Sequence, residues 1–273
     1  MKFLILFLVF LLCGCANEEK FPEEATFYET ETETVIIKVD TENLSKKKTG
    51  WGMRRNPPDR PEFTEEQKAI MDKYGCIYMG SEEEKYLYLT FDEGYENGQT
   101  ARILDTLKEK GVPAAFFITG DYFKAEKELV DRMVKEGHIV GNHTMKHPCL
   151  AELKTEKELE REVLSLDMAF YDAYKTHMKF IRPPEGAYSE FSLGVTRNLG
   201  YTNVFWSFAY DDWYTKKQKG KDYAYNKVVE NLHPGCVILL HAVSESNADA
   251  LADIIDTARS EGYEFRSLDC YIP

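Results

Sequence analysis

The 273-residue chain has no Cys-x-x-Cys pair, which removes the ligand spacing of a thiolate-rich zinc site. It has no excess of positive charge: 34 Lys and Arg stand against 47 Asp and Glu, for a formal net charge of −13. The electrostatic footprint of a nucleic-acid-binding protein is therefore missing, and no nucleic-acid partner is expected. The apolar run Phe3–Leu12 holds ten residues, too few to span a bilayer as a stable helix. No internal repeat marks a solenoid or an array. Histidine is scarce too, with six in all, and each can be considered in turn.

What is present begins with a leader. Lys2 followed by the short apolar run fits the h-region of an export signal. Leu12-Cys13-Gly14-Cys15 resembles a bacterial lipobox, although Cys13 is unusual at its position; a plain secretory signal cut nearby is the alternative. The expectation is an exported lipoprotein, held at the outer face of the cell membrane by lipid on Cys15. Export permits disulfides among Cys76, Cys149, Cys236 and Cys270, and the sequence does not choose a pairing. The expected organisation is a leader over 1–15, a solvated acidic tether over 16–50, an N-terminal extension over 51–85 packed on the domain, and a catalytic domain over 86–273.

The domain is organised around Tyr86–Gly98. Leu87, Leu89 and Phe91 alternate with Tyr86, Tyr88 and Thr90, the period of a strand. The run ends in Asp92-Glu93-Gly94, two acids where a buried strand leaves its sheet, which is where α/β folds place ligands and chemistry. Alone, this is equally well a solvated turn. From here strands and helices alternate. Thr64 and Gly75 bracket a preceding helix, and Gly111 ends the helix from Ala101. Ala114–Ile118 is a buried strand, and Thr155 with Glu158 opens a long helix through a capping box. Six or seven strands, each followed by a helix, predict a distorted parallel (β/α) barrel of about seven units, an α/β fold.

Four further groups sit near the ends of the later strands. His143 and His147, spaced H-x-x-x-H, share a face if their loop is helical. With a nearby carboxylate they form a set that suits zinc or another transition dication. Arg182, braced by Pro183 and Pro184, can fix a carboxylate through two hydrogen bonds. Aromatics surround Asp211 and Asp212. His241 ends the apolar strand Val237–Leu240. The remaining histidines, His138, His177 and His233, take local structural roles.

T-F-D-E-G at Thr90–Gly94, H-T-M-K-H at His143–His147, R-P-P-E-G at Arg182–Gly186, D-W at Asp212-Trp213 and L-L-H at Leu239–His241 resemble the five motifs of the polysaccharide deacetylases. These are carbohydrate esterase family four, the NodB-homology domains. Trp51-Gly52, G-Y-E-N-G at Gly94–Gly98, F-W-S at Phe205–Ser207 and the run from His241 to Leu251 are similar to the sporulation subgroup, the δ-lactam-biosynthetic (muramic) de-N-acetylases. The resemblance implies a divalent metal, zinc expected, on His143, His147 and the acid at Glu93, where the family usually has aspartate. Whether Glu93 reaches the metal directly, through water or not at all stays open. It further implies Asp92 as general base held by Arg182, His241 as general acid oriented by Asp212, and a backbone N–H near Glu185 assisting at the oxyanion. The first aspartate of the fourth motif falls at Ala209. The expected substrate is N-acetylmuramic acid in peptidoglycan glycan strands. The alternatives are a general peptidoglycan N-acetylglucosamine or chitooligosaccharide deacetylase, and a catalytically silent glycan-binding lipoprotein.

Overall fold

The computed structural model describes residues 38–57 and 59–273. The leader, the lipid site at Cys15 and the expected tether as far as residue 37 lie outside the described residues. Within them no helix is long and apolar enough to cross a membrane.

Seven strands form one sheet: β1 (Tyr86–Glu93), β2 (Ala115–Ile118), β3 (Ile139–Asn142), β4 (Phe180–Ile181), β5 (Thr202–Asn203), β6 (Cys236–His241) and β7 (Glu264–Phe265). Six follow the path β6-β1-β2-β3-β4-β5, and β7 pairs with the start of β1. Every pairing is parallel. Parallel neighbours need crossover helices, and these cover the outer face. They are α2 (Thr100–Lys110), α3 (Gly120–Ala125), α4 (Lys127–Lys135), α5 (Glu156–Tyr174), α6 (Glu190–Asn198), α7 (Lys221–Val229) and α8 (Glu245–Ser260), with α1 (Glu65–Tyr74) ahead of the sheet. The sheet curls into a half-barrel and nearly closes. Beyond β5 the chain meets β6 through one bridge, Phe208 to Ile238, so the seam is irregular.

Local chemistry explains the boundaries. Thr64 with Gln67 and Thr155 with Glu158 form reciprocal capping boxes, and Gly75 and Gly111 end α1 and α2 in the left-handed conformation. Helix α3, which the sequence pattern did not announce, is capped by the Thr119 side chain. The strands carry two apolar sets on opposite faces. Leu87, Leu89, Phe91, Phe116, Ile118, Ile238 and Leu240 pack against the helices. Tyr88, Ala115, Phe117 and Val237 face the barrel interior. Register levels the carboxyl ends: His241 pairs with Asp92, Asp92 with Phe117, and Asn142 with Ile181.

The stretch 38–50, expected as tether, is docked instead. Val39 exchanges two 2.8 Å hydrogen bonds with the Asn198 side chain, Ser45 O accepts from Phe191 N, and Thr49–Gly50 pairs with Ala187–Tyr188. Leu44 fills the space that a side chain at Gly194 would need. Backbone groups satisfied by the domain have no reason to stay in water. Trp51 stacks on Phe63 and packs on Phe205, with ring centroids 5.0 Å apart in each case. Cys76, Cys149, Cys236 and Cys270 are all free thiols.

Candidate active site

The alternation along β1 decides which acid enters the barrel. Tyr88 points inward and Leu87, Leu89 and Phe91 point toward the helices, so Asp92 turns inward and Glu93 outward. Asp92 Oδ1 accepts a 2.8 Å hydrogen bond from Arg182 Nη1, and its Oδ2 lies 3.6 Å from His143 Nε2. Arg182 is fully buried. The expected fork onto one carboxylate is not formed: Nη2 donates instead to Thr90 Oγ1 at 2.8 Å, and Nε to Val204 O at 3.1 Å. Thr90 in turn donates to Ile238 O, so the guanidinium is fixed to the strands on both sides of it. Its plane lies over Phe117, 4.2 Å from the ring centroid. The backbone carbonyl of the same arginine accepts from His143 Nδ1 at 2.8 Å, leaving Nε2 with its lone pair toward the cleft.

His143 and His147 do meet, with ring centroids 4.8 Å apart, but no helix brings them together. Their loop carries left-handed backbone at Thr144 (φ 71°) and His147 (φ 58°). Outside partners hold it: Thr144 N donates to Asn142 Oδ1, Met145 N to Glu162 O, and Lys146 N to Glu162 Oε2. His147 N donates to Thr144 Oγ1. A β-branched residue at positive φ is strained, and such strain concentrates at functional sites. Gly120 has no side chain because Met145 lies against it.

Across the cleft His241 Nδ1 donates to Asp212 Oδ1 at 2.7 Å, and His241 N to Asp212 Oδ2 at 2.8 Å. The Trp213 ring sits 5.5 Å from the His241 ring. Asp92, His143, His147, Trp213 and His241 line two connected lobes of about 440 and 380 Å³. The larger lobe also has Glu185, Trp206 and Leu239 in its wall. Glu185 adopts left-handed backbone (φ 60°), and Gly186 follows at φ 63° because a Cβ there would strike Trp206 at 2.6 Å.

Burial raises Asp92, but the charges of Arg182, His143 and His241 more than offset it, and the carboxyl sits below its usual range. Burial pushes His143 down to about 4, so its ring is neutral at neutral pH. Burial also lowers His241, but the hydrogen bond and charge of Asp212, together with Asp92, leave it raised. This gives an ionised carboxylate, a neutral imidazole and a protonatable ring around one space.

Glu93 does not join them. It is fully buried between β1 and α2, accepting a 3.3 Å hydrogen bond from Thr100 Oγ1. Burial, then the charge of Glu96, raises it well above the ordinary range, which favours the neutral acid. Among the described residues no three His, Cys, Asp or Glu side chains converge on a point that would hold a metal ion. The two imidazoles fit a dication in chemistry and tautomer, because His143 gives its second nitrogen to a carbonyl as metal ligands do. Glu93 does not fit, and its place as a ligand is withdrawn. Thr90, Asn142, Trp206 and Asn247 support the site without having been given a role from the sequence, although Thr90, Trp206 and Asn247 lie inside the motifs quoted above.

Comparison with known proteins agrees with this geometry. A family model described as polysaccharide deacetylase matches residues 79–204. The peptidoglycan-N-acetylmuramic acid deacetylase PdaA of Bacillus subtilis is 43% identical over 221 residues, covering 80% of this chain and 84% of that protein. The structure of Bacillus subtilis PdaA, a family 4 carbohydrate esterase, superposes with a TM-score of 0.80 at 41% identity, over 83% of this chain and 97% of that one. A peptidoglycan-N-acetylglucosamine deacetylase of Bacillus cereus is 33% identical, covering 72% of each chain. The chain belongs to the polysaccharide deacetylases, the family 4 carbohydrate esterases, and is a hydrolase acting on amide bonds.

Proposed function

We propose that the enzyme is a metal-dependent de-N-acetylase of peptidoglycan that removes acetyl from N-acetylmuramic acid, leading to the muramic δ-lactam of the spore cortex. The observation that carries the chemistry is the pairing across one cleft of Asp92, ionised by Arg182, with His241, oriented by Asp212. The muramic substrate is supported by the similarity to Bacillus subtilis PdaA. The glucosamine and chitooligosaccharide readings rest on more distant relatives.

Asp92 takes the proton of the attacking water, and Arg182 keeps its carboxylate ionised and aimed into the cleft. His241 delivers a proton from Nε2 to the departing amine, while Asp212 holds Nδ1 and stabilises the imidazolium. Leu239, Trp206 and Trp213 offer an apolar wall to the acetyl methyl group. His143 and His147 would hold the dication, proposed as zinc, which when bound supplies positive charge against the developing oxyanion. The lactam would follow when the freed amine attacks the lactyl carboxyl carbon, forming the ring C–N bond as the C–OH bond breaks and water leaves. The protein would act outside the cell membrane, anchored through lipid on Cys15; mass measurement of the membrane-extracted chain checks this, and an unmodified terminus elsewhere removes the anchor.

The test is incubation of purified, metal-loaded protein with amidase-treated glycan strands, with chromatography and mass spectrometry of the products. Acetate with muramic lactam is the expected result. Acetate from glucosamine residues alone overturns the muramic reading, and no acetate from any glycan points to a silent binder.

A further inference from the structure

We propose that Asn247, with Tyr210 behind it, is a positioning residue that locks Asp212 in the rotamer from which it orients His241. The inference rests on the reading of His241 as the proton donor. Asp212 is buried, and three donors occupy its two oxygens: His241 Nδ1 on Oδ1 at 2.7 Å, then His241 N at 2.8 Å and Asn247 Nδ2 at 2.6 Å on Oδ2. Two of the three come from the ring-bearing residue itself. Asn247 is the donor that arrives from another element, the first turn of α8, where Ser244 Oγ caps the helix through Asn247 N.

An amide has a donor end and an acceptor end, so something must choose its orientation. Tyr210 Oη donates to Asn247 Oδ1, which turns the NH₂ toward Asp212. Reversed, the amide would set two oxygens against each other in a buried place. Tyr210, Asn247 and Asp212 are each less than a tenth exposed, so water does not replace a lost member easily. The charged groups facing His241 are Asp212, Asp92 from β1 and Arg182 beyond β4, while Tyr223 of α7 lies against Tyr210. Changing Asn247 to leucine removes none of these charges, so a shift in the His241 titration reports how Asp212 is held.

The experiment compares Asn247→Leu, Asn247→Asp and Tyr210→Phe with the parent on whichever glycan the parent deacetylates. It measures kcat, KM, the pH dependence of kcat, and the NMR titration of the His241 ring. Asn247→Leu should lower kcat about 10–100-fold, the usual range for removing a partner behind a working residue, with KM little changed. The alkaline limb of kcat and the His241 titration should both move to lower pH, because a less firmly held Asp212 supports the imidazolium less well. Tyr210→Phe should move both the same way by a smaller amount. Asn247→Asp keeps the shape but replaces the donor with an acid, and should cost at least as much as leucine.

Parental kcat and an unmoved alkaline limb in Asn247→Leu overturn the proposal. So does a loss that appears only in KM or in melting temperature. If Asn247→Leu fails to fold, an unmoved alkaline limb in Tyr210→Phe overturns it. His241→Ala, run alongside, separates the two claims: full activity there removes His241 as the acid, whereas an inactive His241→Ala beside a parental Asn247→Leu removes only the role of Asn247.

Discussion

Asp92 and Glu93 are consecutive acids on one strand, and the two faces of that strand treat them in opposite ways. The barrel-interior face gives Asp92 a buried guanidinium at 2.8 Å and holds it ionised. The helix-facing side gives Glu93 a threonine hydroxyl, a neighbouring Glu96 and no cation among its hydrogen-bond partners, and pushes its pKa well above the ordinary value. Both acids are buried, so what separates a depressed carboxyl from a raised one is the partner across the space. The arginine that decides this comes from a strand end 90 residues further along the chain.

The comparison can be broken at its working half first. Asp92→Asn should reduce turnover about 10²–10⁴-fold, the scale of a positioned acid–base group, while circular dichroism stays near the parent. Steady-state acetate release checks it, and retained turnover removes Asp92 as base. Arg182→Met should also abolish activity and cost about 3–5 kcal/mol in urea unfolding, because the Asp92 charge is left buried and unpaired. Adding Asp92→Asn to that variant should recover part of the loss, and simple additivity would contradict the pairing.

Metal binding sharpens the contrast. His143→Ala should weaken dication affinity, measured by competition with a chromogenic chelator, by more than the 10–100-fold typical of a lost outer partner. Glu93→Gln should leave that affinity close to the parent, and a large loss would return Glu93 to the ligand set. The two acids should also differ in the sign of their pH linkage. Asp92, depressed in the fold, contributes stability above the ordinary carboxylate pKa that is lost as pH falls through its folded value. Glu93, raised in the fold, contributes stability below the ordinary value that is lost as pH rises through its folded one. Across about pH 2 to 7, spanning the ordinary carboxylate value, Glu93→Gln should therefore gain on the parent as pH rises above that value, whereas Asp92→Asn should gain on the parent as pH falls below it. Urea midpoints across that range measure both, and this is the smallest of the expected effects.

Much of the site was legible because chemistry-bearing residues stand at strand ends and strand ends can be read from apolar runs. Asp92, His143 and His241 reach the cleft from the places their strands and following loops predict, with Arg182 and Asp212 buried behind Asp92 and His241. The misplacement of Glu93 was avoidable from the sequence itself, since the alternation that sends Leu89 and Phe91 outward sends residue 93 the same way. The H-x-x-x-H spacing misled for another reason. Four residues can bring two rings together through left-handed turns as well as through a helix, and the bonds to Asn142 and Glu162 that choose the turn come from other elements. The docking of residues 38–50 was hidden because their polar composition is the same in a tether and in a segment whose backbone is satisfied by Asn198 and Phe191.

The sequence by itself determined the parallel β/α order, the helix caps and which strand ends carry carboxylates, imidazoles and an arginine, because strand period, capping chemistry and residue type are local properties. Tertiary structure alone decided which atoms of Arg182 go to Thr90, and how Asn247 and Tyr210 come to stand behind Asp212. Those outcomes depend on register between strands far apart in the chain and on burial that removes water as a competing partner, and neither is written in any short stretch of residues.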